Sequence, residues 1–179
     1  MTIDSYEGAR SWGWTQIILQ RKTMIALYSM DLLNQNTNSK ITYNEVLRGD
    51  VGSEPFMQAL DDEIAKRRLN FRTVNAIAIT YDGIDVYSRQ LRGKPHTFQV
   101  VFVSDGINTY SIFNYGATPA LISGNLVLNG LTGFYEDSNA CVNTVDFLST
   151  LNVEIYQLPT GTNTNVTGRY VFPMSSCSK

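Results

Sequence analysis

The chain carries one histidine, His96, so any Ser-His-Asp relay would have to be built on it. No Gly-x-Ser-x-Gly nucleophile turn accompanies it. It follows Pro95 at the entrance to an apolar run and reads as a loop-edge histidine. Asp61, Asp62 and Glu63 supply carboxyls for acid–base work. Consecutive helix positions point in different directions, so the three do not converge on one substrate. Asp31 with Asn34, Asn36 and Asn38 offers oxygen ligands at short spacing, loosely like a calcium loop. The glycine and the distant bidentate glutamate that make such a loop specific are missing, so a polar hairpin turn is the simpler expectation. Asp137, Asn139 and Asn143 read the same way. Cys141 and Cys177 lack metal-site spacing and are too few for a disulfide framework; they form one bridge or stay free. Asn165-Val166-Thr167 is the single Asn-x-Ser/Thr sequon, in a polar stretch that reads as an exposed loop. Arg89-Gln90-Leu91-Arg92 reads as solvated surface before it reads as a protease-sensitive loop. No nucleophile is paired with a base, so the expectation is a non-enzyme with no catalytic residue, no metal ligand and no cofactor.

The totals narrow the classes further. A chain of 179 residues with 43% apolar content fits one domain with a sizeable core. Charged residues are only 17%, below the usual quarter, and Asn, Thr, Ser and Gly fill the gap, as in many extracellular β proteins. Net charge is −2 and the pI about 5.3, so no basic field argues for nucleic acid or an anionic membrane. No apolar run is long enough to insert into a bilayer, and Met1 begins no signal-peptide pattern. A secretion signal would lie outside this sequence.

The elements that must position these groups are organised around Thr97 to Gly116, TFQVVFVSDGINTYSIFNYG. Asp105-Gly106 between alternating apolar runs predicts a hairpin. Phe98, Val100 and Phe102 share one face of the first arm, and Val101 and Val103 share the other. A strand apolar on both faces needs cover on each side. Upstream, residues 1–24 form an N-terminal arm or first strand with Trp12 and Trp14, followed by a short strand at Met24 to Ser29. Ile41 to Val46 alternates as a half-buried strand and is expected to form a loose hairpin with 24–29 across the polar turn Asn34 to Ser39.

Ser53 to Arg68 predicts the one helix, with Ser53 as cap, Pro55 in the first turn and basic residues at its end. Phe56, Leu60 and Ile64 make its stripe, with Met57 beside it. Asp62–Lys66 and Glu63–Arg67 are spaced as surface ion pairs, so the charge cluster reads as a solvated face. Thr73 to Tyr81 is a strand with Ile77, Ile79 and Tyr81 on one side. The small Ala76 and Ala78 on its other side leave room for that helix. A long loop is expected over Asp82 to Pro95. Asn125 to Leu128 and Leu131 to Tyr135 read as strands joined by Asn129-Gly130. Phe147 to Leu151 is ambiguous, and Val153 to Leu158 and Arg169 to Phe172 read as closing strands. Many short strands with one main amphipathic helix predict an α+β fold of mostly antiparallel, sandwich-like sheets, with no repeat and no domain boundary.

Several of these segments resemble, in order, a nidogen-type extracellular domain (the NIDO domain). Thr97-Phe98-Gln99, the Asp105-Gly106 turn and Phe113-Asn114-Tyr115-Gly116 are similar to that family's Thr-Phe-Gln strand, Asp-Gly turn and Phe-Asn-Tyr-Gly end. Gly133-Phe134 is similar to its Gly-Phe-Asn segment, and Gly168-Arg169-Tyr170-Val171-Phe172 resembles its closing Gly-Arg-Trp-Val-Phe. The resemblance covers roughly residues 25–175, leaving 176–179 as a tail. Tyr81 and Tyr170 stand where the family often has Trp, and Cys141 and Cys177 are not part of the pattern.

The resemblance implies a secreted module, or the ectodomain of a membrane-anchored protein. It also implies a non-enzymatic role in adhesive or matrix assembly. Its partners would be other extracellular proteins or neighbouring domains of the same chain, with no nucleic acid and no direct membrane insertion. Phe98, Asp105, Gly106, Phe113, Asn114, Tyr115, Gly116, Gly168 and Arg169 then carry the family signature as structural residues. A sandwich that binds a ligand through calcium or carbohydrate is the second expectation, and a hydrolase ranks last.

Overall fold

The computed structural model describes residues 24–29, 32–33, 39–86, 95–116, 131–138, 141–146, 151 and 157–174. The predicted hairpin lies at its centre. β5 (His96–Ser104) and β6 (Thr109–Tyr115) pair antiparallel from Phe98 opposite Tyr115 to Ser104 opposite Thr109. The turn is held by Asp105, whose Oδ1 accepts the N–H groups of Ile107 (2.9 Å) and Asn108 (2.6 Å). The Asn108 amide side chain bonds the same carboxylate, and Gly106 supplies the positive φ of 91° that the turn needs. β4 (Asn75–Val86) flanks β5, and β9 (Arg169–Pro173) flanks β6. On the outer side of β4, β3 (Lys40–Leu47) pairs with Asn75–Asp82, and β2 (Leu32–Leu33) pairs with Asp85 and Val86. A smaller sheet is made by β1 (Met24–Ser29), β7 (Leu131–Ser138) and β8 (Cys141–Asp146), in the order β1-β7-β8.

Strand alternation divides the core in two. Phe98, Val100 and Phe102 join Ile79, Tyr81, Phe113, Tyr115, Tyr170 and Phe172 in one buried cluster that also contains Ile25 of β1, so the smaller sheet covers that face. Val101 and Val103 belong to the second cluster, under α1 (Glu54–Ala65), with Ala76, Tyr110, Ile112 and Val171. The two-sided apolar pattern of β5 thus has its two covers, and Ala76 and Ala78 lie on the helix side, as their size implied. Among the described residues the fold is α+β, with the helix α1 on a mostly antiparallel sheet.

Several expectations are corrected. The helix stripe is Met57, Leu60 and Ile64, while Phe56 is 39% exposed, because the contact line of α1 runs through position 57 rather than 56. Ser53 makes no side-chain cap: its own backbone is already helical, where a capping residue is usually extended. The helix ends at Ala65, so no basic residue stands in its last turn. β1 and β3 do not form a hairpin; β1 pairs with β7, and β3 with β4. β4 does not stop at Tyr81 but continues to Val86 through a bulge at Asp82-Gly83, where Gly83 takes φ 64°. The polar turn expected around Asp137 and Asn143 is narrower than that, since Asp137 pairs with Val142 and Ser138 with Cys141, and the two residues between the arms lie outside the described residues. Gln157–Thr160 is a turn, so no closing strand reaches Leu158. The N-terminal arm, the Asn34–Asn38 turn, the strand at 125–128 and the Asn129-Gly130 turn lie outside the described residues.

Asp105 generates a stability prediction. Its partial burial alone would raise the carboxyl pKa. Hydrogen bonds from Asn108 and Ile107, with the Arg68 charge beyond, outweigh burial and hold it below its ordinary 3.8. A depressed carboxylate pKa contributes stability that is present above the ordinary value and lost as pH falls through the native one. Asp105→Ala should lower the unfolding free energy by about 1–3 kcal/mol at neutral pH in urea titrations. The deficit should shrink in acid, and a neutral effect at pH 7 would refute the role given to this turn.

Candidate functional site

Seven of the nine signature residues come together where β5, β6 and β9 run side by side near the last turn of α1, while Asp105 and Gly106 form the turn at the other end of the hairpin. On the helix face of the sheet, Thr80, Gln99, Asn114 and Arg169 stand directly opposite one another on four successive strands. Gln99 Nε2 donates to Thr80 Oγ1 at 2.7 Å, and Asn114 Nδ2 donates to Gln99 Oε1 at 3.0 Å. Arg169 Nε donates to Asn114 Oδ1 at 2.9 Å. Arg169 Nη1 then reaches Glu63 Oε2 on α1 at 3.4 Å, and Lys66 Nζ meets the same oxygen at 3.0 Å. Each amide in this ladder both gives and receives, so its geometry is fixed across the whole sheet.

The opposite face of the same strands is aromatic. Phe98 stacks on Tyr81 with ring centroids 4.8 Å apart, Phe113 meets Phe172 edge to face, and Tyr115 meets Tyr170 in the same way. Tyr170 O–H donates to the Leu158 carbonyl at 3.1 Å, which ties the 157–160 turn to β9. Gly168 closes the strip. Its carbonyl accepts the Tyr115 N–H, its N–H donates to the Gly161 carbonyl, and its φ is 74°. A Cβ there would run into the Tyr115 carbonyl oxygen, so both sterics and backbone conformation require glycine. Gly116 N–H bonds the Thr97 carbonyl and ends the hairpin. Every one of the nine signature residues therefore has a structural duty, in the strip or in its turn.

The carboxylates at 61–63 do point apart, but two of the three are not solvated. Asp61 Oδ2 pairs with Arg48 Nη2 at 2.6 Å, and its Oδ1 accepts the Thr73 N–H at 2.6 Å. Arg48 also pairs with Glu54 and donates to the Thr73 carbonyl, joining the end of β3 to both ends of the helix segment. Glu63 is buried and pairs with Lys66 and Arg169 rather than with Arg67. Asp62 alone faces water, taking Gln58 Nε2 rather than Lys66. A groove of about 460 Å³ lies over Arg48, Asp61, Asp62 and Arg72, and Arg48 already engages Asp61 there. Among the described residues no three His, Cys, Asp or Glu side chains are grouped to hold a metal.

The closing loop carries the sequon. Asn163 brackets β9, with its Nδ2 donating to the Val171 carbonyl and its Oδ1 accepting the Val171 N–H, while Arg67 holds the Asn163 carbonyl at 2.6 Å. Asn165, Val166 and Thr167 stand exposed beyond that bracket. Cys141 lies in β8 opposite Ser138; Cys177, and with it any bridge, lies outside the described residues. So do Asp31, Asn34, Asn36, Asn38, Asn139, Arg89, Arg92, Trp12 and Trp14. Asn143 pairs with Glu136 in the β7–β8 ladder. Sequence reading missed Arg48 and Thr80, gave Gln99 only a place in a strand motif and took Glu63 for a solvated residue. For Thr80 and Gln99 the available signal was a polar residue on the apolar helix face of adjoining strands.

His96 is corrected most sharply. It is fully buried at the start of β5, because the pairing resumes beyond the bulge with Ile84 opposite it. Burial lowers its pKa from 6.5, and the charge of Asp85 opposes part of that shift. The native chain then binds the imidazole proton more weakly than the unfolded chain, so stability is full above pH 6.5 and declines as pH falls below it. Melting curves between about pH 7.5 and 5.5 should show this loss, and His96→Gln should flatten the slope. Equal slopes in the two proteins would contradict it.

No match to the chain was found among curated proteins or among solved structures. A family model described as the nidogen-like domain matches residues 6–176, a span that takes in the hairpin, the ladder and the closing glycine–arginine strand. That family supplies extracellular modules of matrix and adhesion proteins, and the chain belongs to it.

Proposed function

We propose that the chain is a non-enzymatic module of an adhesive or matrix protein and contributes to protein–protein assembly outside the cell. The observation that carries this reading is the division of labour in the fold. The residues that mark the family bond to one another or fill the core, which leaves contact with partners to exposed loops and sheet edges. The ionisable groups nearest to a catalytic constellation, Asp61, Glu63 and Arg48, are engaged in holding the helix to the sheet.

Secretion, a glycan at Asn165 and a Cys141–Cys177 bridge belong to the same proposal. Asn165 and its two followers are exposed on a loop whose base is pinned by Asn163, so a transferase could reach the acceptor without unfolding β9. Partners would be other extracellular proteins or neighbouring domains of one chain.

The test is to express the full chain behind a secretion signal in animal cells. The medium should contain folded protein whose mobility shifts on glycosidase treatment, with the shift abolished by Asn165→Gln. Mass mapping before and after reduction should find one bridge between the two cysteines. Saturable capture by immobilised matrix proteins should follow. Retention as misfolded protein, or two free thiols in freshly secreted material, would count against the extracellular assignment. A rise of several degrees in Tm at millimolar calcium, or saturable hits on a glycan array, would favour the calcium- or carbohydrate-dependent alternative.

A further inference from the structure

Among the described residues, β3 is bonded along one edge only, to β4. Every residue of it except Val46 is exposed. Ile41, Tyr43, Glu45 and Leu47 share one face, and the three apolar members are 56%, 59% and 47% exposed. Proteins usually blunt such an edge, because its free backbone groups and apolar side chains template pairing with another strand.

This edge is blunted at one end. Leu47 N–H donates to Asp50 Oδ2 at 2.9 Å, and its carbonyl accepts the Asp50 N–H at 3.2 Å. The next residue, Arg48, turns its N–H inward to the Val74 carbonyl. Successive residues of an antiparallel strand aim their backbone groups at opposite edges. The outward groups of β3 are therefore those of Ile41, Tyr43, Glu45 and Leu47, and Asp50 engages the last.

We propose that two copies of this chain pair antiparallel along β3, with Asn44 on the two-fold axis. In that register Tyr43 stands opposite Glu45 of the second copy, and Ile41 lies beside its Leu47. Phenol meets carboxylate and aliphatic meets aliphatic, and the Tyr43 O–H already reaches Glu45 within one chain at 3.3 Å. A shift of the axis to Glu45 would set Glu45 against Glu45, and a shift to Tyr43 would set Ile41 against Glu45. The ladder ends at both sides where Asp50 holds Leu47, so the contact closes as a dimer and does not propagate. The inference rests on the assembly reading above and deepens it by naming a partner, a second copy.

Sedimentation equilibrium and light scattering on the full chain should give a concentration-dependent mass rising to twice 20.0 kDa. Tyr43→Glu sets a second carboxylate against Glu45 of the other copy, and Ile41→Lys sets a charge against its Leu47; each should weaken the dimer at least about tenfold. Both positions are exposed, so melting of the dilute monomer should be unchanged. Asn44→Cys would face its own copy as a non-hydrogen-bonded pair, Cα atoms about 4.5 Å apart, within disulfide reach. Mild oxidation should cross-link it above the background of the parent chain, while Asp62→Cys on the helix should not. A chain that stays monomeric into the high-micromolar range overturns the proposal, as does a dimer indifferent to Tyr43→Glu. A monomer that still binds matrix proteins would refute the dimer and leave the module reading intact. A β3 dimer with no matrix binding would do the reverse.

Discussion

The fold depends on the two-sided burial of β5. A strand with Phe98, Val100 and Phe102 on one face and Val101 and Val103 on the other cannot border solvent, so a layer must lie on each side of the sheet. One layer is α1, which fits because Ala76 and Ala78 let Met57, Leu60 and Ile64 come close. The other is reached through Ile25 of the smaller sheet. Hairpin pairing and the Asp105 turn set the register, and that register decides which residues meet on β6 and β9.

The polar ladder follows from the same constraint. Where the helix ends, the inner sheet face would be half open and half dry, a poor place for either large apolar groups or isolated amides. Thr80, Gln99, Asn114 and Arg169 solve this by bonding to one another across four strands, and Glu63 anchors the row to the helix. Arg169 cannot be exchanged for lysine without loss, because two separate guanidinium nitrogens serve two partners. The bonds from Thr80 to Arg169 fix the alignment of the four strands, while Glu63 engages the row through Oε2 and its Oε1 finds no partner among the described residues.

Local pattern made the hairpin, the two-faced strand, the helix and the small-residue face of β4 legible in the sequence, since each is a short-range signal of period or turn chemistry. What escaped depends on long-range pairing. β1 and β3 are neighbours in sequence with suitable patterns, yet their partners are β7 and β4. The bulge at Asp82-Gly83 let β4 run on where composition suggested a loop, and that extension buried His96. Glu63 looked solvated because Lys66 and Arg67 stand beside it. The residue that draws it inward, Arg169, lies at the far end of the chain. Contacts of that separation leave no periodic trace.

A signature that serves the fold has a consequence for where binding can evolve. Gly168 is fixed by its positive φ and the Tyr115 carbonyl, Asp105 by its turn donors and Arg169 by two acceptors, so substitution at any of them disturbs the sheet itself. β3 is differently placed. Its inward backbone groups hold it to β4, while Ile41 and Tyr43 stand open on the sheet face. Side chains there can change partner preference at little cost to the core. The hairpin, tied into the core and its turn, is thus a poor place for variation, whereas substitutions on the exposed face of β3 disturb the core less.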